Sequence, residues 1–62
     1  ISMTELELLS KKLKEAIEPR REAITKGRML DWPEYRYTVG TIAGLQAALD
    51  AVEEAKKRYI ED

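Results

Sequence analysis

The fold prediction rests on residues 32–60, WPEYRYTVGTIAGLQAALDAVEEAKKRYI. The only proline of this stretch is Pro33, which suits the first turn of a helix because the missing N–H has no partner there. Asp31 can act as the N-cap, and Glu34 follows it three residues later, as in a capping box. The sequence therefore predicts one long helix over this whole range.

Gly40 and Gly44 lie four residues apart inside the predicted helix. Each is expected to cost the helix about 1 kcal/mol relative to alanine, because glycine loses the most backbone freedom on ordering. Both glycines fall on one face. The pattern predicts that another backbone approaches this face closely.

At about 100° per residue, the apolar residues of the long helix separate into two groups. A bulky stripe, predicted to form the intrachain core, consists of Tyr35, Ile42, Leu45, Leu49 and Val52. The second group, called here the small-residue stripe, is predicted to be a self-association face and consists of Tyr37, Gly40, Gly44, Ala47, Ala48, Ala51 and Ala55. The remaining wedge is polar and includes Glu53. A helix with two apolar faces needs neighbours on more than one side.

A first helix is predicted over about residues 4–27, with Thr4 as the N-cap and Glu7 completing a capping box. Pro19 predicts either a kink in one helix or a break between two segments, and the kink is favoured because the apolar rhythm resumes in phase. Gly27 can supply the left-handed residue that ends the helix. The residues of this helix predicted to pack on the bulky stripe are Leu6, Leu9, Leu13, Ile17 and Ile24.

The predicted fold is therefore an all-α helical hairpin. Residues 1–3 are interpreted as a tag remnant and start, and residues 4–62 as one domain with a turn at about 28–31. One stripe on the first helix cannot cover both faces of the second, so we expect a second copy to cover the small-residue stripe, giving a dimeric four-helix bundle. Two alternatives remain open: the small residues accommodate the kinked helix or the Trp32 ring within a monomer, or they dock a foreign helix.

The composition narrows the function classes. The chain has 62 residues and neither cysteine nor histidine, which excludes disulfides and thiolate metal sites and removes the commonest general base. A net charge of −1 does not indicate a nucleic-acid or membrane partner. No apolar run approaches the roughly 20 residues of a membrane span, and no signal peptide is recognisable. A cytoplasmic protein is expected.

Two side-chain clusters are candidates for chemistry. Asp50 and Glu54 lie one helical turn apart and could share a hard cation, but such pairs usually belong to the solvent-exposed face of a helix. Interleaved glutamates indicate that the basic first helix is mainly a solvated, salt-bridged face. We expect no enzyme, no catalytic residue, no cofactor and no metal. The residues that would contact a partner protein or nucleic acid, if the chain binds one, are Arg20, Arg21, Lys26, Arg28 and Trp32.

Residues 35–45, YRYTVGTIAGL, followed by Ala47-Ala48-Leu49, resemble the second helix of small helical proteins encoded by tailed bacteriophages. Those helices often read as tyrosine, a glycine, glycine-leucine and an alanine-leucine pair. The resemblance covers about the second half of the chain. It implies a phage structural or assembly protein, or one of host takeover, located in the host cytoplasm or the virion, and it implies no catalytic residues.

The leading functional hypothesis is a non-enzymatic helical protein–protein interaction or assembly module that forms a homo-oligomer. The alternative is a small regulator that binds nucleic acid or a host protein through the basic first helix and the aromatic turn. The first predicts a stable oligomer, and nucleic-acid binding would instead show a steep salt dependence.

Overall fold

A computed structural model describes residues 1–27 and 31–61, with side chains described as far as Tyr59. Two helices, α1 (Met3–Thr25) and α2 (Trp32–Glu61), make up the described chain, and no strand is present in these ranges. The helices pack side by side in a rod of 47 × 15 × 14 Å. The prediction of an all-α helical hairpin is confirmed.

The N-terminus of α1 is capped by Ser2, whose backbone is extended. The Ser2 hydroxyl accepts a hydrogen bond from the Glu5 N–H at 3.2 Å, and the Glu5 carboxylate accepts one from the Ser2 N–H at 3.0 Å. The prediction that Thr4 and Glu7 form the capping box is wrong. Both pairs fit the same four-residue pattern, and the earlier box adds residues to the helix without losing any.

Helix α1 continues through Pro19 without a break. The alternative of two separate segments is therefore wrong. One turn before the proline ring, the carbonyl of Ala16 accepts a hydrogen bond from the Arg20 guanidinium at 2.6 Å. This side chain provides an extra donor close to the position where proline removes a backbone N–H.

The end of α1 follows the predicted glycine cap. Gly27 has a φ of +68°, in the left-handed region, and its N–H donates to the Ile24 carbonyl at 3.1 Å. The Lys26 N–H donates to the Glu22 carbonyl at 2.9 Å. The prediction that Gly27 ends this helix is confirmed, because a left-handed residue satisfies carbonyls of the last turn.

Asp31 caps the N-terminus of α2, as predicted. Its carboxylate accepts a hydrogen bond from the Glu34 N–H at 2.8 Å, and its carbonyl accepts one from the Tyr35 N–H at 3.0 Å. An acidic cap also complements the positive end of the helix dipole. The rest of the predicted turn, residues 28–30, lies outside the described residues.

The core lies in a single seam between the two helices. Its most buried apolar side chains are Leu6 and Ile17 on α1 and Leu49 and Val52 on α2. Half-buried residues extend the seam along both helices: Leu13, Ile24, Ile42 and Leu45. Contact positions alternate at intervals of three and four residues, which is the spacing of a two-helix seam. Two helices alone thus bury few side chains deeply.

Leu9 and Tyr35 were expected in this core, but they are 43% and 37% exposed. Leu9 lies about 70° from the centre line of the seam on α1, at 100° per residue. Tyr35 lies on a part of α2 that has no neighbour on α1. The interhelical hydrogen bonds pair Ser10 with Glu53 and Arg21 with Gln46, which places the last residue of α1 opposite about residues 38–42 of α2. The first turns of α2 therefore project beyond α1.

Candidate self-association face

The small-residue stripe lies on the surface of α2, away from α1. Tyr37 is 76% exposed, Ala55 is half-buried, and the other five members of the stripe are exposed. Apart from the neighbouring backbone of α2 itself, a Cβ atom built on either Gly40 or Gly44 would meet no heavy atom within 4 Å. The interpretation that these residues make room for α1 or the Trp32 ring within one chain is therefore wrong.

The stripe is uncharged over its whole length from Tyr37 to Ala55, about 27 Å at 1.5 Å per residue. Thr41 borders the stripe, and its hydroxyl donates to the Tyr37 carbonyl at 2.9 Å. Its hydrogen is thereby used within the helix. The stripe thus presents a smooth surface that another backbone can approach without desolvating a charge.

Helix α1 extends this surface on one side of the hairpin. Leu9, Ala16 and Ala23 recur every seven residues along one edge of the seam. The interhelical hydrogen bonds from Ser10 to Glu53 and from Arg21 to Gln46 occupy the opposite edge. The hairpin therefore has an apolar side, built from this edge of α1 and the small-residue stripe, and a polar side.

The contribution of α1 to the apolar side was missed in the sequence. The seven-residue recurrence of Leu9, Ala16 and Ala23 was the available signal, because such residues lie at one edge of a two-helix seam. Leu9 was assigned to the core instead. Its exposure of 43% is explained by its place on the apolar side.

On the polar side, a hydrogen bond joins the two helices inside the seam. Ser10 is buried, with 3% of its surface exposed, and its hydroxyl donates to Glu53 Oε1 at 2.6 Å. Lys56 Nζ lies 3.4 Å from Glu53 Oε2. The sequence placed Glu53 in the polar wedge of α2 without a partner; its side chain is 40% exposed and also binds across the helices. Ser10 could have been found from its seam spacing, four residues after Leu6.

This environment lowers the pKa of Glu53 below its ordinary value of 4.5. The hydrogen bond from Ser10 is the largest cause, because it favours the charged carboxylate. Partial desolvation opposes the shift, whereas the hydrogen bond and charge of Lys56 and the charge of Lys14 reinforce it. A carboxylate with a lowered folded-state pKa stabilises the fold above its unfolded pKa, and this stabilisation is lost as the pH falls through the folded value.

We expect Glu53→Gln to remove one pH-dependent component of stability. The difference in melting temperature between wild type and Glu53→Gln should be largest at neutral pH and shrink as the pH falls below about 4. Thermal melts followed by circular dichroism at several pH values measure it. Glu54→Gln is the matched control, since Glu54 makes only a surface ion pair with Arg58 at 3.7 Å. An unchanged difference across the whole range would contradict the role of the Ser10 bond.

The predicted partner-contact cluster is exposed, but two of its cations have bonds within the chain. Arg20 donates to the Ala16 carbonyl, and Arg21 donates to Gln46 Oε1 at 3.0 Å. Trp32 is 66% exposed and stacks on Tyr35, with ring centroids 5.5 Å apart. Lys26 is also exposed. Arg28 lies outside the described residues.

The acidic pair considered for a cation has separate partners. Asp50 accepts a hydrogen bond from the Gln46 amide at 3.0 Å, and Glu54 pairs with Arg58. Among residues 1–27 and 31–61, no three carboxylates converge into a group that could hold a metal ion. The described surface also contains no pocket.

The fold defines the class as an all-α helical hairpin whose uncharged small-residue stripe on α2 is left uncovered by its own chain. No family model matches the chain, and neither a curated protein nor a solved structure does. In the described part of the chain, neither helix is apolar over a length sufficient to cross a membrane.

Proposed function

We propose that this chain is a non-enzymatic protein–protein interaction or assembly module that self-associates through the small-residue stripe. The observation that carries the proposal is the environment of Gly40 and Gly44. Each glycine costs the helix about 1 kcal/mol relative to alanine. At both positions the space that a methyl group would occupy has no neighbour within 4 Å, so nothing inside one hairpin explains this cost. The approach of a second chain explains it.

The surface area of the hairpin supports association. Its accessible surface is 4814 Å² for a mass of 7.1 kDa. A compact monomer of this mass is expected to expose about 4,100 Å². The excess of about 700 Å² is close to the roughly 800 Å² that each partner buries in a standard interface.

The shallow core supports the same conclusion. Only four apolar side chains of the described residues are buried, namely Leu6, Ile17, Leu49 and Val52. Chains of this size are marginal without disulfides, metals or oligomerisation. Since there is no cysteine, burial of the apolar side against a second hairpin is the available source of further stability. Two hairpins then form a four-helix bundle.

The biological setting of the proposal is the assembly of a phage particle, either in the host cytoplasm or within the virion. Its support is the resemblance of residues 35–49 to the second helix of small tailed-phage proteins. An assembly module needs a surface that brings copies or partners together, and the small-residue stripe supplies one.

Sedimentation of the wild-type protein over a roughly hundred-fold concentration range tests self-association. We expect a mass of twice the 7.1 kDa of one chain and a melting temperature that rises with protein concentration, because dimerisation is linked to folding. A monomer at every concentration, with a constant melting temperature, would rule the proposal out. A foreign helix would then be the remaining occupant of the stripe.

A further inference from the structure

We propose that the second copy docks antiparallel, about a two-fold axis that passes between Ala47 and Ala48. In this arrangement Tyr37 of each chain contacts Arg58 of the partner subunit. The inference rests on the proposed self-association and adds the orientation, the register and one specific contact. Arg58 was not among the residues predicted for this face.

The spacing along α2 favours this axis. When Arg58 is included, the intervals between successive members run three, four, three, one, three, four and three residues. The series reads the same in both directions, with its midpoint between Ala47 and Ala48. A two-fold interface brings the same patch of both subunits together. An antiparallel pair centred here places every member of the face opposite another member.

The paired residues also favour antiparallel docking by their sizes. About this axis Gly40 lies opposite Ala55, and Gly44 lies opposite Ala51. In each pair a glycine, which has no side chain, faces the methyl group of an alanine. The two backbones therefore remain evenly spaced at about 8 Å, the short end of the range for helix pairs. A parallel pair would place glycine on glycine and alanine on alanine, and the gap would widen along the helix.

The ends of the face provide a third argument. The Tyr37 residue is 76% exposed, and the Arg58 side chain is 78% exposed. Antiparallel docking places the guanidinium near the electron-rich face of the tyrosine ring, a favourable cation–π pair. Parallel docking would instead place Arg58 beside its own copy, with like charges adjacent.

The overall charge distribution agrees with this orientation. Residues 20–37, which include the connection between the helices, carry five basic and three acidic side chains. The opposite end, formed by residues 1–10 and 53–61, carries three basic and five acidic side chains. Antiparallel docking brings the basic end of one hairpin toward the acidic end of the other. Complementary ends favour this orientation over the parallel one.

Single-cysteine cross-linking tests the register, because the chain has no cysteine of its own. In the proposed dimer two copies of residue 48 lie almost level, about 1.5 Å apart along the axis, whereas two copies of residue 51 lie about 10 Å apart. Disulfides require Cα atoms within about 7 Å. We expect Ala48→Cys to form a disulfide dimer at least tenfold faster than the matched variant Ala51→Cys. Mixing Gly44→Cys with Ala51→Cys should produce the mixed disulfide that neither forms alone.

Sedimentation of the wild type, measured alongside, distinguishes a wrong orientation of the dimer from an absence of self-association. Rapid cross-linking of Ala51→Cys or Gly44→Cys with itself indicates parallel docking and overturns the inference. If sedimentation shows a dimer but neither Ala48→Cys nor the mixture of Gly44→Cys with Ala51→Cys forms a disulfide, the interface lies elsewhere. This result also overturns the inference, while self-association stands. A wild-type monomer removes both. Circular dichroism of each variant confirms that it is helical.

Discussion

Replacing Gly44 with leucine is expected to halve the mass of the protein in solution without unfolding the hairpin. Apart from the neighbouring backbone of α2 itself, no atom of the same chain lies within 4 Å of a Cβ at this exposed position, so the position opens to space in the monomer. Leucine is also a better helix former than glycine, by nearly 1 kcal/mol. The hairpin should therefore keep its helical signal.

The same side chain would separate two copies that approach through this face. Overpacking a close contact typically costs about 1–3 kcal/mol, and a two-fold dimer contains the substitution twice. The dissociation constant should therefore rise by a factor of about 30 to 10⁴, since about 1.4 kcal/mol corresponds to tenfold. Sedimentation at a concentration where the wild type is dimeric measures the change directly.

Ala43→Leu is the matched control for Gly44→Leu. Ala43 is the neighbouring residue, is also exposed, and lies about 100° away on the polar wedge. The Ala43→Leu substitution should leave the mass of the dimer unchanged. If Gly44→Leu remains dimeric, or if Ala43→Leu disrupts the dimer to the same extent, the small-residue stripe is not the interface.

Most of the fold could be predicted from local signals in the sequence. Asp31 and Gly27 mark helix ends because the chemistry of a cap depends on a few neighbouring residues. The spacing of Leu6, Ile17 and Leu49 identifies the buried seam because a helix repeats every 3.6 residues. The separation of α2 into a core face and an uncovered face follows from the same periodicity.

The errors arose where two helices must be placed against each other. Tyr35 has seam spacing, but its burial depends on how far α1 reaches along α2, which no local pattern specifies. Ser10 is polar and was passed over, although it occupies a seam position. It is buried because Glu53 on the other helix accepts its hydrogen bond. The choice between two overlapping capping boxes likewise depends on competition between whole helices rather than on either motif.

The candidate face was predictable in part. The stripe on α2 was recognised from Gly40 and Gly44, because two glycines inside a helix are costly. The contribution of α1 to the apolar side was not predicted. Leu9, Ala16 and Ala23 are ordinary helix formers, and they can be assigned to this side only when the antiparallel register is known. A site composed of two elements needs their relative placement, and one chain's periodicity does not provide it.

Replacing Ile17 with alanine is expected to be the most destabilising substitution in the hairpin core. Ile17 is 4% exposed, the least exposed apolar residue of the described chain, and it lies in the middle of the seam. Isoleucine-to-alanine changes in protein cores cost about 2–5 kcal/mol, from lost burial and the cavity that remains. A protein of this length is stable by about 3–9 kcal/mol in total. The substitution therefore removes a large fraction of the stability.

Urea denaturation followed by circular dichroism at one fixed protein concentration measures this loss, and Leu8→Ala is the matched control. Leu8 lies on the same helix and also loses an aliphatic side chain, but it is 55% exposed and points away from both the seam and the apolar side. Its replacement should change the free energy of unfolding by no more than about 0.5 kcal/mol. Equal losses for the two variants would mean that α1 does not pack on α2 through the Ile17 face. The apolar side was located by its position beside this seam. Its location would therefore have to be reassigned as well.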